Sequence, residues 1–380
     1  MNALSLFSGI GGLDLAALAV GFDPVAMCEI EPFPVQILKK RFPDVPILDD
    51  VRKVNGHDYE AVDIVYGGFP CQDLSLAGRR RGLVDSEGNI TRSGLWFEML
   101  RIVRESSPCF VVGENVRGAV NAALDVCSRG LEAEGYEVGT VLIPASAVGA
   151  PHQRERIFIY GVRRDILGLE RSPAERLADA GGKRLQRSAF PLVSLLQGPQ
   201  SYDQQPAGCD RMPYLRTPDA NADRGAMSEE LYQRRVKNGE SININAQVAH
   251  IERNWPTVKA SANERTGSTQ YTPGSMHSAV LGDIVAENEG KRGQLNPAWV
   301  EQLMGYPDGW TDPDCDEPGP WMGWPARPGE EQHAFEHPRT VVGLPNRAKR
   351  LKALGNAVVP QQAEPVFRAL AVIYHMAFEF

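Results

Sequence analysis

A short apolar strand, a glycine turn and a small-residue helix open this chain, and their order constrains the fold more than any other feature. Leu4-Ser5-Leu6-Phe7 reads as the strand, Ser8-Gly9-Ile10-Gly11-Gly12-Leu13-Asp14 as the turn, and Leu15 to Val20 as an Ala/Leu helix ending at Gly21. Glycines let backbone approach a ligand closely, and a helix start adds unpaired N–H groups. The spacing is G-x-G-G rather than the full G-x-G-x-x-G, so the turn alone does not name a ligand. A second strand, Pro24 to Cys28, delivers Glu29 about 20 positions after the glycines, a place that suits ribose hydroxyls. Because Glu31 and Pro32 follow, Glu29 also reads as a carboxylate favoured by a helix start. Ile47-Leu48-Asp49-Asp50-Val51 repeats the acidic strand end.

The next strand carries a nucleophile candidate. Asp63-Ile64-Val65-Tyr66 reads as a buried parallel strand, cut short by Gly67, Gly68 and Pro70, which leaves Cys71 at the carboxyl edge of the sheet. Open α/β sheets bind ligands at that edge. A lone Cys in a turn is otherwise a structural thiol. The polar, glycine-bearing stretch from Ser75 to Leu95 follows, with Arg79, Arg80 and Arg81 near its start; such a run reads as a phosphate contact or as a solvated charge run. Leu95, Met99, Ile102 and Val103 then repeat at helical spacing and predict a core helix over 95–105. After the strand Cys109-Phe110-Val111-Val112 comes Glu114-Asn115-Val116, an acidic strand end. Arg154, Arg156 and Phe158 share one face of a later strand, with Glu155 and Ile157 on the other, which also fits a solvated edge strand. Three such signals at successive strand ends of one sheet can converge on a site.

Composition excludes several classes. At 380 residues the chain has room for two domains, and no apolar run approaches the ~20 residues of a membrane span. The first residues lack a basic region before their apolar stretch, so a cytoplasmic protein without a membrane partner is expected. Six scattered cysteines indicate neither a disulfide framework nor a metal site. The net charge of −8 is unhelpful to a nucleic-acid binder, but the distribution is uneven. Residues 150–270 hold 18 Lys plus Arg against 14 Asp plus Glu, and 295–340 hold 2 against 9. One charged face could meet a polyanion, although mixed solvated surfaces give similar counts.

From about Asp165 to Arg292 the α/β pattern stops and Gly, Pro, Asn, Ser and Gln become frequent, which marks a second domain. A faint echo at a spacing of about 40 residues runs through it, with chance as its alternative. Arg224, Arg234, Arg235, Lys237, Arg253, Lys259 and Arg265 are side-chain types that contact phosphates and base edges. An acidic Pro/Trp-rich insertion occupies 311–336, its Trp321 and Trp324 reading as local packing. A final helix, Gln362 to Ala377, is expected to bury Val366, Leu370, Val372 and Ile373.

Taken together, the segments resemble the DNA (cytosine-5)-methyltransferase family of bacterial and phage type, in order and spacing. Phe7 to Asp14 resembles its S-adenosylmethionine loop, Gly67 to Ser75 its Pro-Cys loop, and Gly113-Glu114-Asn115-Val116 its Glu-Asn-Val motif. Gln153-Arg154-Glu155-Arg156-Ile157-Phe158 is similar to its Gln-Arg-x-Arg strand, Leu295 to Pro307 to the motif supporting its recognition domain, and Gly355 to Pro360 to its closing motif. The resemblance covers roughly 1–164 and 293–380.

That resemblance implies an α/β fold, a Rossmann-like class I methyltransferase sheet with a second, smaller target recognition domain. The catalytic domain would be discontinuous, 1–164 plus 341–380, with 165–340 as the recognition unit and the closing motif packed on the first glycine loop. It implies Cys71, Glu114, Arg154 and Arg156 as catalytic residues. S-adenosyl-L-methionine would lie against Phe7, Gly9, Gly11, Gly12, Asp14, Glu29, Ile30, Asp50, Val51, Pro70 and Asn356. Gln72, Ser75, Arg79, Arg80 and Arg81 would meet double-stranded DNA, in a loop that closes over a flipped base. A monomer is expected, with a cognate restriction endonuclease as a partner the family allows. The rivals are an RNA cytosine-5 methyltransferase on the same fold, a catalytically silent DNA-binding module, and a nicotinamide dehydrogenase, which gives Cys71 no role.

Overall fold

The structure, a computed structural model, describes residues 1–70, 92–116, 124–168 and 294–378, with 255, 257, 258, 281 and 285 between them. The first run holds β1 (Asn2–Leu6), α1 (Gly12–Leu18), β2 (Asp23–Cys28), α2 (Pro32–Arg41), β3 (Ile47–Leu48) and β4 (Ile64–Gly68). Next come α3 (Trp96–Ser106), β5 (Phe110–Val116), α4 (Leu124–Ala133), β6 (Tyr136–Ile143) and β7 (Arg156–Arg163). The last run holds β8 (Gln294–Leu295), α5 (Pro297–Leu303), β9 (Thr340–Val341), α6 (Arg347–Asn356) and α7 (Pro360–Phe378). Helix α1 starts three residues earlier than its Ala/Leu run suggests. Gly11 precedes it at φ 84, a left-handed turn open to glycine, so the helix can begin directly behind the glycines.

Seven strands form one sheet in the order β3-β2-β1-β4-β5-β7-β6. Strands β1 to β5 pair in parallel, whereas β7 runs antiparallel to both β5 and β6. This corrects one expectation. β7 begins, rather than ends, at the edge where β4 and β5 finish. The order reverses beside β1, whose two neighbours lead to opposite ends of the sheet, and such a switch point opens a crevice at the strand ends.

Period-two alternation explains how both faces are filled. Ile64 and Tyr66 of β4, Phe110 and Val112 of β5, and Phe158, Tyr160 and Val162 of β7 pack with Leu13, Ala16 and Ala17 of α1 and Val366, Phe367 and Leu370 of α7. Val65, Val111 and Ile159 face the other way, against Trp96, Met99, Ile102 and Val103 of α3 and Cys127 and Leu131 of α4. Buried on both sides, these strands read as continuous apolar runs. Helix α7 thus lies on α1, and Val366, Leu370 and Ile373 are buried as expected. Val372 is not: it lies off their stripe and is 39% exposed.

A third core joins Ile10, Ile37, Leu38 and Phe42 to Trp299, Leu303, Trp310 and Leu354, and takes in Trp255, Val258, Leu281 and Val285. Residues 295–310, assigned by sequence to the 165–340 unit, therefore pack on α2 and the glycine turn. The Trp310 indole donates to the Ile10 carbonyl at 2.7 Å. Arg41, at the end of α2, donates to the carbonyls of Gly309, Trp310, Asp312 and Cys315, while Lys40 pairs with Asp316 at 2.8 Å. The acidic stretch is thereby pinned by the basic helix end. Trp321 and Trp324 form an edge-on pair at 4.8 Å. No described helix is long and apolar enough to cross a membrane.

Asp14 departs from its expected role. It is fully buried, facing the sheet from the first turn of α1, and accepts a hydrogen bond from the Tyr66 hydroxyl at 3.0 Å. A residue enclosed there cannot line the crevice. Burial pushes its carboxyl up from 3.8 to about 6, against hydrogen bonds that hold it down. The folded chain therefore binds a proton that the unfolded chain releases, so stability falls as pH rises from about 4 to 6, by about 3 kcal/mol. In Asp14→Asn this loss should be absent. Urea midpoints of the two proteins at pH 4, 5 and 7 should diverge as pH rises, with the variant the more stable; parallel curves would refute the assignment.

Candidate active site

The switch-point edge gathers the ends of β1, β2, β4 and β5 and the start of β7. At β1 the chain turns through Phe7, whose φ of 53 is unusual for a side-chain-bearing residue, and then Gly9 at φ 56. A Cβ on Gly9 would meet nothing within 4 Å, so this backbone borders open space. Gly12 is different. A Cβ there would lie 2.7 Å from the Val358 carbonyl, beside the Tyr306 hydroxyl, which itself donates to that carbonyl at 2.8 Å. The closing motif is thus seated on the glycine turn.

At β2 the half-buried Glu29 carboxylate accepts from two backbone amides, Gly9 N at 2.8 Å and Glu31 N at 2.7 Å. Burial raises its pKa, while those amides oppose the shift. A carboxylate offers about four acceptor positions, so two remain for hydroxyls. Ile30 beside it is 63% exposed, an apolar side chain left in the open. Past β3, Asp50 caps a short turn through Arg52 N and is chelated by the Arg52 guanidinium, which holds its carboxyl at about 2. Val51 is buried in the core and presents no side chain to the crevice.

At β4 and β5 the alternation that fills the α1/α7 face continues into chemistry. Phe110, Val112 and Glu114 share that face, as do Arg156, Phe158 and Tyr160. Because Val116 pairs with Arg156 and Glu114 with Phe158, Glu114 and Arg156 are diagonal neighbours. Arg156 Nε meets Glu114 Oε1 at 2.8 Å, with both side chains about one-tenth exposed. Burial pushes the Glu114 carboxyl up, and the Arg156 and Arg154 charges only partly offset it. The site thus holds a carboxyl whose proton is bound more tightly than in water beside a fixed cation. Gly68 makes room for it: a Cβ there would stand 2.8 Å from Glu114 Oε2.

Asn115 was named by sequence only as part of a motif, yet its amide donates to the Phe69 carbonyl at 3.2 Å. It ties the end of β5 to the residue before Pro70, which is half-buried and directly precedes Cys71. Cys71, Gln72, Ser75, Arg79, Arg80 and Arg81 lie outside the described residues, as do the basic positions of the middle segment and its echo except at Thr257, Val258 and Val285.

Arg154 is corrected. It precedes β7 rather than belonging to it, in left-handed backbone at φ 26, and is 2% exposed. Its guanidinium donates to the carbonyls of Val258, Gly355 and Ala357, so it does not share the Arg156 face. Asn356, between two of those carbonyls, is exposed at the end of α6. No sequence signal announces such backbone clasps, because carbonyl acceptors carry no residue identity.

The residues present fit an adenosyl group: open backbone at Gly9, an oriented carboxylate with free acceptor positions at Glu29, and an exposed apolar neighbour at Ile30. Among the described residues no cluster could hold a metal ion.

A doubly wound sheet, with a glycine turn at the end of β1 and a buried acid–arginine pair across β5 and β7, makes this an α/β protein with a ligand crevice at its switch point. The chain belongs to the C-5 cytosine-specific DNA methylase family, whose model matches residues 1–317. It is 35% identical over 185 residues to the Type II methyltransferase M.AquIA of Picosynechococcus sp., covering 42% of this chain and 71% of that protein. It is 34% identical over 172 residues to the Type II methyltransferase M.NgoPII of Neisseria gonorrhoeae, covering 44% of this chain and 49% of that one, about half its length. A solved Spodoptera frugiperda DNMT2 variant shares the fold with a TM-score of 0.51 at 16% identity, over 98% of each chain.

Proposed function

We propose that this chain is a site-specific DNA cytosine-5 methyltransferase that uses S-adenosyl-L-methionine and draws its target base out of the duplex. The observation that carries the reading is the buried Glu114–Arg156 pair beside the root of the Cys71 loop. Carbon 5 of cytosine is a poor nucleophile. Attack by the Cys71 thiolate on carbon 6 places negative charge on the ring toward N3 and O2, where donors must already stand. Glu114 in its protonated form donates to N3 and accepts from the exocyclic amine, and Arg156 donates to O2. S-adenosylmethionine, when bound against Phe7, Gly9, Glu29 and Ile30, supplies the electrophilic methyl that the electron-rich carbon 5 takes up. Loss of the carbon 5 proton to a base then re-forms the double bond and expels Cys71. Gln72, Ser75 and the three arginines 79–81 are assigned to the DNA strand, and the middle segment to sequence reading. The substrate is double-stranded DNA, the chain acts as a cytoplasmic monomer, and a cognate restriction endonuclease is its optional partner.

Transfer of tritium from labelled S-adenosylmethionine to duplex DNA, and not to RNA, tests this reading. Label entering RNA alone would favour the RNA enzyme, and label in neither the silent binding module. Glu29→Ala should weaken cofactor binding by roughly tenfold or more, as expected for loss of charged hydrogen bonds. Calorimetry with S-adenosylhomocysteine reads this directly, and an unchanged affinity would leave Glu29 as a cap for Gly9 and Glu31 only.

A further inference from the structure

Two parts of the chain far apart in sequence meet one buried guanidinium just before the active-site strand. From the middle segment, Trp255 N donates to the Pro151 carbonyl at 2.7 Å, bridging at His152, and Arg154 Nη1 donates to the Val258 carbonyl at 2.9 Å. Trp255 itself is fixed on every side: its indole donates to the Ala326 carbonyl at 2.8 Å, its ring meets Trp299 edge-on at 5.2 Å, and the Arg339 guanidinium lies 5.0 Å over it. From the closing motif, the carbonyls of Gly355 and Ala357 accept from Arg154 Nη2. The Arg154 carbonyl in turn accepts from Gln362 Nε2 of α7 at 2.7 Å. All of this converges two residues before Arg156.

We infer that Arg154 is a positioning residue, not a ligand of the reacting base: it is the joint that sets the base of the middle segment and the closing motif against the start of β7. A planar fork with donors at fixed angles can hold carbonyls from two segments at once, which a lysine ammonium cannot reproduce. The left-handed backbone at Arg154 is kept only where its surroundings over-determine it, and the Gln362 bond to its carbonyl is part of that surround. The inference rests on the proposed function in taking the middle segment as the DNA reader and the closing motif as a wall of the cofactor site.

The test is Arg154→Lys, with Gln362→Met as the second variant, which loosens the joint from the carbonyl side. S-adenosylhomocysteine affinity is measured by calorimetry without DNA, duplex affinity by gel shift without cofactor, and kcat per correctly folded molecule. A shared joint predicts that both dissociation constants rise together, each about five- to tenfold in Arg154→Lys and less in Gln362→Met. A group touching only the reacting base would lower kcat and leave the cofactor dissociation constant of the free protein unchanged, which overturns the inference. A purely structural role would lower the folded fraction with both constants unaltered, and that result also overturns it. If Arg154→Lys does not fold, Gln362→Met alone decides by the same criteria. Failure of the underlying reading is distinguishable, since the unaltered chain would then fail to bind at least one of the two probes, before any substitution.

Discussion

Cys71→Ser is expected to abolish methyl transfer while leaving cofactor binding intact. A serine hydroxyl at neutral pH is almost wholly un-ionised and a far weaker nucleophile than a thiolate, so the covalent step fails. Removal of the nucleophile from a catalytic unit costs on the order of 10⁴–10⁶ in kcat. The residues assigned to the adenosyl group, Phe7, Gly9, Glu29 and Ile30, stand at the ends of β1 and β2, on strands other than the β4 that leads into Cys71. Their hold on the cofactor should not change. Calorimetry with S-adenosylhomocysteine and tritium transfer to DNA, run on the same preparation, separate the two quantities. Retained transfer would refute the covalent mechanism.

Arg156→Leu should produce the second largest effect, on stability and activity together. The substitution leaves Glu114 buried at 8% exposure with its close cation removed. Breaking one side of a buried pair costs about 3–5 kcal/mol when the remaining charge cannot escape. Glu114 escapes in part by keeping its proton, since its pKa is already raised by burial. The unfolded chain ionises the same carboxyl near pH 4, so the variant loses stability as pH rises above that point. Its deficit against the unaltered chain should therefore be smallest near pH 4 and grow towards pH 8 in urea unfolding. Methyl transfer should fall by roughly 10²–10³, the usual cost of one donor to a developing anion. A deficit independent of pH would mean that Glu114 is ionised in the folded chain.

The sheet was legible because its signals are local and periodic. Leu4 to Phe7, Asp63 to Tyr66 and Cys109 to Val112 overlap β1, β4 and β5, each overrunning its strand by one residue, and Gly11 and Gly21 punctuate α1 through positive φ. The placing of Glu114 and Arg156 on strands was legible for the same reason, since alternation puts every second residue on one face, whereas their roles come from the resemblance to the family. What sequence could not disclose was direction and partner. β7 has the same apolar pattern whether it runs parallel or antiparallel, and only the register shows that Arg156 enters at the site edge. Asp14 follows a glycine turn as a ligand would, but helical geometry turns it under the sheet onto Tyr66. Arg154 looked like a partner of Arg156 by spacing, and a left-handed φ before the strand sends it elsewhere. The acidic stretch after Trp310 looked like a separate insertion because its anchors, Lys40 and Arg41, are some 270 positions away in the chain.

Bisulfite sequencing of plasmid DNA from a methylation-deficient host expressing this chain, beside its Cys71→Ser form, tests the central claim most directly. The account predicts cytosines protected at one recurring short sequence, and only when Cys71 is intact. Absence of protection, or protection that survives Cys71→Ser, would contradict it.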